Sequence, residues 1–318
     1  MALRLKGDGP RGALLPGRRR AFAPASGPDD EMGDAPLIEA RPVRHLGQWI
    51  VAVVVVALLV MLAIAVYQNP FIDHGVVRQF LFNHLILKGV WVTLQVTAIS
   101  MAMGVLIGVF LALARETRNV VLRKFAGLYI WLFRGTPLLV QILMWGNFAL
   151  LFKHLALGVP FTHLYAFSVS TNSVVTIFFA SCLALGLNEG AYMAEVVRGG
   201  ILAIDQGQID AALSLGMTRG RAVRRIVMPQ AIRVIIPPTG NELINLLKAS
   251  SLVSVIAGGD LLTASEQIYS QNYRTVELLV VASIWYIAIT TVANIGQHYL
   301  EKHYRRSDSG VGARARIA

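Results

Sequence analysis

Residues 198–238 read RGGILAIDQGQIDAALSLGMTRGRAVRRIVMPQAIRVIIPP, the longest polar interruption after the first apolar run begins. They carry Arg198, Arg219, Arg221, Arg224, Arg225 and Arg233. Within them, Ile209 to Leu215 predicts a short helix. Gly216 is placed to stop it, because only glycine takes a left-handed C-terminal cap without a Cβ penalty. Thr218 can then cap a second helix that runs to Met228-Pro229. Ala211, Ala212 and Leu215 share one face of the first helix, and two alanines there leave a low surface that another protein could approach closely.

The rest of the chain says what this loop interrupts. Hydrophobic residues make up 55% of the 318 and charged residues only 15%, with a mean hydropathy of +0.58. That is too apolar for a soluble domain of this length and places the core in a bilayer. Long apolar runs cover Trp49–Tyr67 and about 86–114, 126–151, 174–197, 236–257 and 278–298. Each is about the 20 residues needed to cross, so an all-α, polytopic membrane protein of about six helices is expected. Asn188, Glu189, Asn241, Glu242 and Lys248 interrupt the fourth and fifth runs. Residues 1–48, rich in Pro, Gly, Arg and Asp without apolar periodicity, are expected to be a disordered basic tail, and 301–318 a second basic tail. Arg18-Arg19-Arg20-Ala21-Phe22 has the outline of a twin-arginine export signal. The apolar region starts only at Trp49, too far away and too long for a signal core, so a cytoplasmic tail is expected.

The formal net charge of +11 raises nucleic acid as a partner, and the distribution of charge answers the question. With the N-terminus inside, the inside segments of six spans hold 23 of the 29 Lys and Arg residues. The opposite loops hold Arg78, Lys153 and Arg274, and Lys88, Arg134 and Lys248 lie at or within span ends. This asymmetry obeys the positive-inside rule and puts both termini in the cytoplasm. The charge follows topology and the anionic inner leaflet of the lipid bilayer, and no nucleic acid is implied.

Several segments resemble one family. Asp210-Ala211-Ala212, Gly216 and Met228-Pro229 are similar to the Glu-Ala-Ala, Gly and Leu-Pro signature loop of ABC-importer permeases, with Asp for Glu and Met for Leu as departures. At the start of the third run, Phe133-Arg134-Gly135-Thr136-Pro137-Leu138-Leu139-Val140-Gln141 looks like the corresponding run in permeases of polar-amino-acid ABC importers, the histidine, arginine and glutamine type. Here Pro137 removes a backbone donor and should kink or begin a helix. Leu187 to Gly200, Pro229 to Arg233, Pro237 to Glu242 and Leu247 to Ser254 continue the resemblance in order, over about 85–300.

The resemblance implies a five-helix permease core at 85–300 with a cytoplasmic coupling loop at 198–235, and an extra N-terminal helix at 49–67. It implies that Asp210, Ala211, Ala212, Leu215, Gly216 and Pro229 dock on an ABC ATPase dimer through the 205–229 segment. It implies a second permease copy, identical or related, and an extracytoplasmic amino-acid-binding protein, in the bacterial inner membrane. The chain has no Gly-x-x-x-x-Gly-Lys-Ser/Thr phosphate loop, so ATP belongs to the partner; no cofactor of its own is expected and the chain is not an enzyme.

A permease makes no bonds, so its chemistry lies in polar groups that are costly in hydrocarbon. Glu189 stands eight or nine residues before Arg198, near mid-depth at about 1.5 Å per residue. A carboxylate in a span costs about 2.5–3.5 kcal/mol and therefore faces a cavity or a partner. Either Glu189, with Asn188, lines the solute pathway, or it pairs internally with Lys248 or a backbone donor. Gln141 and Tyr192 are further pathway residues, while Glu195, near Arg198, is expected to be structural. Gly104 and Gly108 on the second run point to close helix packing. Cys182 is the single cysteine and the seven histidines show no metal-ligand spacing. The rival reading, an ion-gradient-driven secondary amino-acid transporter, calls for repeated halves with broken helices, and no internal repeat is visible.

Overall fold

The computed structural model describes residues 46–70, 72–158 and 165–305. The tail expected at 1–48 lies outside them up to residue 45, as do residues 306–318 of the C-terminal tail. The chain divides into two units, 1–66 and 67–318. In the first, the described residues form α1 (Leu46–Tyr67), apolar along its length and covering the run expected at 49–67.

The second unit is organised on two long helices, α3 (His84–Glu116) and α8 (Ile177–Leu202). Small residues recur every four positions on both facing surfaces. A Cβ on Gly104 would meet Glu189 Cγ at 2.6 Å, and one on Gly108 would meet Met193 Cβ at 2.5 Å. Reciprocally, Gly190 of α8 faces Ile107 and Gly186 faces Met103. Two glycine pairs let the backbones approach far more closely than leucines would allow, which is how helices associate where lipid offers no hydrophobic drive. The glycines of α3 thus have their partners within the chain.

Around this pair two further spans are bent. α4 (Val120–Gly135) and α5 (Leu138–Gly146) form one apolar path turned by 99° at Thr136-Pro137. The run expected at 126–151 is therefore broken where Pro137 withdraws its donor. After α5 come the short α6 (Phe148–Leu151), an antiparallel hairpin of β1 (His154–Gly158) and β2 (Tyr165–Ser170), and the short α7 (Thr171–Val174). The runs expected at 126–151 and 174–197 left this hairpin out, though the alternation Tyr165-Ala166-Phe167-Ser168-Val169-Ser170 is its signal.

α9 (Gln206–Ser214) precedes a continuous helical path made of α10 (Arg219–Ala222), a π-helical turn at Val223–Val227, α11 (Met228–Ala249) and a 3-10 turn at Ser250–Ile256. Contrary to expectation, the helix does not end at Met228-Pro229. The Met228 N–H bonds the Val223 carbonyl five residues back, and this widened turn seats the Pro229 ring at the start of α11, where no N–H is needed. The path turns by 43° into α12 (Leu261–Asn272), and α13 (Thr275–Arg305) closes the fold.

Among the described residues, α3, α8 and α13 are long and apolar enough to cross a membrane, and each bent pair reaches that length as one span. The apolar stretch of α8 is 67% buried and that of α13 only 17%. α8 is therefore the central helix and α13 a peripheral one. The amphipathic α2 (His74–Leu81), capped by Asp73, lays Val76, Val77, Phe80 and Leu81 on the cluster of Ile86, Val90, Leu261 and Leu278. Trp285 Nε1 donates to the Leu81 carbonyl at 2.8 Å and fixes it there.

Candidate functional site

Breaking a helix frees backbone carbonyls, and in hydrocarbon each must find a donor. At the α4–α5 break the donors are two side-chain amides. Gln141 Nε2 donates to Phe133 O at 2.9 Å, Thr136 O at 3.1 Å and Thr136 Oγ1 at 2.7 Å. Asn188 Nδ2 reaches from α8 to Phe133 O at 2.9 Å and to Gln141 Oε1 at 3.2 Å. Gln141, expected along the solute pathway, is thus a buried clasp behind the wall, and Asn188 serves both the clasp and the wall.

Beside the break lies a cleft of about 440 Å³, lined by Arg134, Asn188, Glu189, Tyr192, Glu242 and Asn245 among others. Gly104 gives Glu189 room for its stem against α3. Glu189 is 5% exposed, and its Oε1 is buried without a hydrogen-bond partner among the described residues. No ion pair joins it to Lys248 among the described residues. Glu242 of α11 faces the same space, three residues before Asn245 on the same helical face. Arg134 stands over the Tyr192 ring at 5.2 Å from its centroid, a cation–π geometry. Arg134 and Glu242 were missed as site residues. The signal for Arg134 is its position in the last turn of a helix that ends at the Gly135-Thr136-Pro137 break. Glu242 joins the site only because the fold sets α11 against α8.

Glu195 has the structural role expected. It lies 2.5 Å from Arg115, 3.8 Å from Arg198 and 4.0 Å from Arg134, while Arg198 also reaches Glu116 at 3.2 Å. These ion pairs tie the ends of α3 and α8 together beside the cleft.

At the far end of the α10–α11 path, α9 ends in a Schellman motif. Gly216 has φ +78°; its N–H bonds Leu213 O at 2.9 Å, and the Met217 N–H bonds Ala212 O at 3.1 Å. Thr218 occupies the N-cap position of α10, but its hydroxyl makes no capping bond. Asp210, Ala211, Leu215, Gly216 and Pro229 are exposed, Leu215 at 85%. Ala212, expected on the outer face with them, is buried. The reason is that α9 folds back on α10 and the π-helical turn, whose Ala222 and Val227 are also fully buried. Ala212 is the inner contact of the hairpin, and Ala211 with Leu215, one turn apart, is the outer face.

Comparison with known proteins agrees with this architecture. The family described as binding-protein-dependent transport system inner membrane component matches residues 104–306. The arginine transport system permease protein ArgU of Corynebacterium glutamicum is 40% identical over 284 residues, covering 89% of this chain and 88% of its own length. At that coverage the likeness extends into residues 1–84, beyond the 85–300 expected. The probable amino-acid ABC transporter permease protein YckA of Bacillus subtilis is 35% identical over 219 residues, 69% of this chain and 88% of its own. A crystal structure of an amino acid ABC transporter with histidines superposes with a TM-score of 0.59 at 36% identity, covering 69% of this chain and 94% of that one. An inward-facing MetNI methionine ABC transporter gives 0.52 at 20% identity over 69% and 96%, a likeness of fold alone.

Bent spans around a polar cleft, with an exposed helical hairpin at one end, define a multi-pass membrane permease of the ABC-importer fold. The chain belongs to the binding-protein-dependent transport system inner membrane component family. The ion-gradient alternative has no support from these findings.

Proposed function

We propose that this chain is the permease subunit of an ATP-driven importer that moves a polar or cationic amino acid into the cell. Glu189 Oε1 carries the reading: a buried carboxylate oxygen without a partner among the described residues, in the wall of a cleft beside the broken α4–α5 span. A buried charge persists only where a counter-charge is supplied, and the ammonium group of an amino acid supplies one. Asn188 and Tyr192 flank it, and Gln141 holds the wall in place from behind. The printed substrate of the relative ArgU, arginine, points the same way.

ATP is bound and hydrolysed by a separate ABC ATPase dimer, which docks on the 205–229 segment through Asp210, Ala211, Leu215 and Gly216. The helical path from Arg219 to Glu242 then acts as a lever about 35 Å long, joining the docking hairpin to the cleft wall. Ala212 and Pro229 keep the hairpin and the foot of the lever in shape. A second permease copy, identical or related, completes the pathway, and an extracytoplasmic binding protein delivers the solute. The five-helix core at 85–300, with its coupling loop at 198–235, lies in the inner membrane with both termini in the cytoplasm. α1 then serves as an extra N-terminal span, which accounts for an inside start.

The test is amino-acid uptake into vesicles holding the chain with its ATPase and binding protein, with and without ATP, beside Gly216→Pro. Proline cannot take the positive φ of Gly216 and removes the N–H that bonds Leu213. The expected result is ATP-dependent uptake lost in the variant. Uptake that ignores ATP and follows a proton or sodium gradient would overturn the reading.

A further inference from the structure

The exposed hairpin holds its charges in a strained arrangement. Arg219, Arg221, Arg224 and Arg225 fall within seven residues of α10 and the π-helical turn, and all four are exposed. Arg221 lies three and four residues before Arg224 and Arg225. At those spacings side chains on a helix are neighbours, and like charges repel. The helical path that starts at Arg219 also places these cations in its first turns, at the positive end of the helix dipole. Nothing nearby relieves them. Among the described residues none of the four forms an ion pair, whereas Arg115 and Arg198 are held by Glu195 and Glu116. The two aspartates of the hairpin are taken up within α9: Asp205 accepts from the Gly207 N–H at 2.7 Å, and Asp210 from Gln206 Nε2 at 3.3 Å.

Gly220 stands among these arginines. Nothing lies within 4 Å of where its Cβ would be, so no packing contact among the described residues calls for a glycine there. Glycine is a poor helix former, and its missing side chain leaves the backbone open to a close approach from outside. The buried side of the same turns carries Ala222 and Val227 against α9, so the arginines form the outer side. Charge and glycine alike run against local helix preference here. Such a conflict marks a surface shaped for something the chain itself does not supply.

What the patch calls for is an anion. Lipid headgroups are poorly placed to supply it. Arg225 stands eleven residues and Arg221 fifteen residues before Ile236, where the apolar run begins, about 16 and 22 Å along the helix axis. The potential of an anionic leaflet fades over about 8 Å at physiological salt. A protein seated on α9, by contrast, is brought against the same hairpin. We infer that the ATPase subunit carries an acidic surface that pairs with Arg221, Arg224 and Arg225, a second contact beside the outer face of α9. The inference rests on the ATPase-docking reading above and adds the partner's charge and three recognition residues. The outer face of α9 offers short-range fit. Charges across the second contact act at longer range, so they steer the encounter and reject partners of the wrong sign. Guanidinium groups hold carboxylates by charge-assisted hydrogen bonds, and each pair formed also relieves the repulsion within the patch.

The test is the association rate of fluorescently labelled ATPase with the full-length chain in nanodiscs of zwitterionic phosphatidylcholine, without nucleotide. For the wild type the rate is expected to fall at least about tenfold as salt rises from about 0.05 to about 0.5 M. The triple variant Arg221→Gln, Arg224→Gln, Arg225→Gln should associate about tenfold more slowly at low salt, at a rate nearly independent of salt. Its thermal midpoint should equal or exceed that of the wild type, because the repulsion is gone. Lysine at the same three positions should keep most of the salt dependence, since charge does the steering. A rate unmoved by the glutamine substitutions overturns the acidic-surface assignment while docking through α9 still stands. So does a salt dependence that appears only when anionic phospholipid is added to the nanodiscs, which would assign the arginines to the leaflet. A wild-type chain that takes up no ATPase at any salt overturns the docking reading together with it.

Discussion

Asn188 of α8 donates its amide to the carbonyl of Phe133 in α4 at 2.9 Å, so the helix that lines the cleft also closes the break beside it. Gln141 reaches the same carbonyl at 2.9 Å. With two donors on one acceptor, either amide alone still satisfies it. Asn188→Leu is expected to destabilise by about 1 kcal/mol, and Gln141→Leu by about 2–3 kcal/mol because it also strips Thr136 O. The double variant should lose more than the sum, since Phe133 O then has neither donor. Thermal unfolding of the detergent-purified protein measures all three; simple additivity would mean that the two amides do not share the carbonyl's satisfaction.

The close approach of α3 and α8 makes a second prediction through two glycines of the same type. At Gly108 a Cβ would lie 2.5 Å from Met193 Cβ and 2.8 Å from the Met193 carbonyl carbon, both tied to the backbone. At Gly186 the worst contact is Met103 Cε, the far end of a flexible side chain. Gly108→Ala must push the helices apart and should destabilise by about 1–3 kcal/mol, whereas Gly186→Ala should be tolerated within about 1 kcal/mol once Met103 changes rotamer. Expression and thermal midpoints of the two variants decide it, and equal losses would mean that the helix spacing is not set at Gly108.

Much of this was legible in the sequence, and the limits have a physical form. Pro137 announces the break because a missing donor is a property of one residue. Nothing local says that Gln141, four residues on, turns back onto the freed carbonyls instead of facing the cleft. The amphipathic run at 209–215 gave the helix and Gly216 its end. Assigning Ala212 to the inner face requires knowing that α10 folds against α9, and propensity carries no such information. Glu242 could be seen as a charge within an apolar run. Its place beside Glu189 in the lining of one cleft depends on a packing of α11 beside α8 across more than fifty residues of chain. Short elements were missed where their signals are brief: eight residues for α2 and two strands of five and six.

The Arg115–Glu195 ion pair yields a prediction about salt. Both side chains are about 30% exposed, so the pair is neither fully screened nor fully desolvated. A double-mutant cycle of Arg115→Ala and Glu195→Ala should give a coupling of about 0.5–1 kcal/mol. Raising salt from 0.05 to about 1 M, where the screening length falls to about 3 Å, should roughly halve that coupling. A coupling near zero at low salt would mean that the contact orders the helix ends without stabilising them.

The two alanines of the hairpin separate folding from docking. Ala212 is 1% exposed and lies within the hairpin, while Ala211 and Leu215 face outward. Ala212→Leu overfills a closed contact and should destabilise the hairpin by about 1–3 kcal/mol, detectable as faster proteolysis between α9 and α10. Leu215→Asp places a charge on a surface that already meets water, so it should leave stability unchanged within about 0.5 kcal/mol. If α9 is the seat of the ATPase, the same change should abolish solute-stimulated ATP hydrolysis and ATPase co-purification, because it buries an unpaired carboxylate in the contact. Loss of co-purification with an unchanged thermal midpoint places the docking function on the outer face. A Leu215→Asp complex that assembles and hydrolyses ATP normally would remove α9 from the coupling path, whatever became of Ala212→Leu.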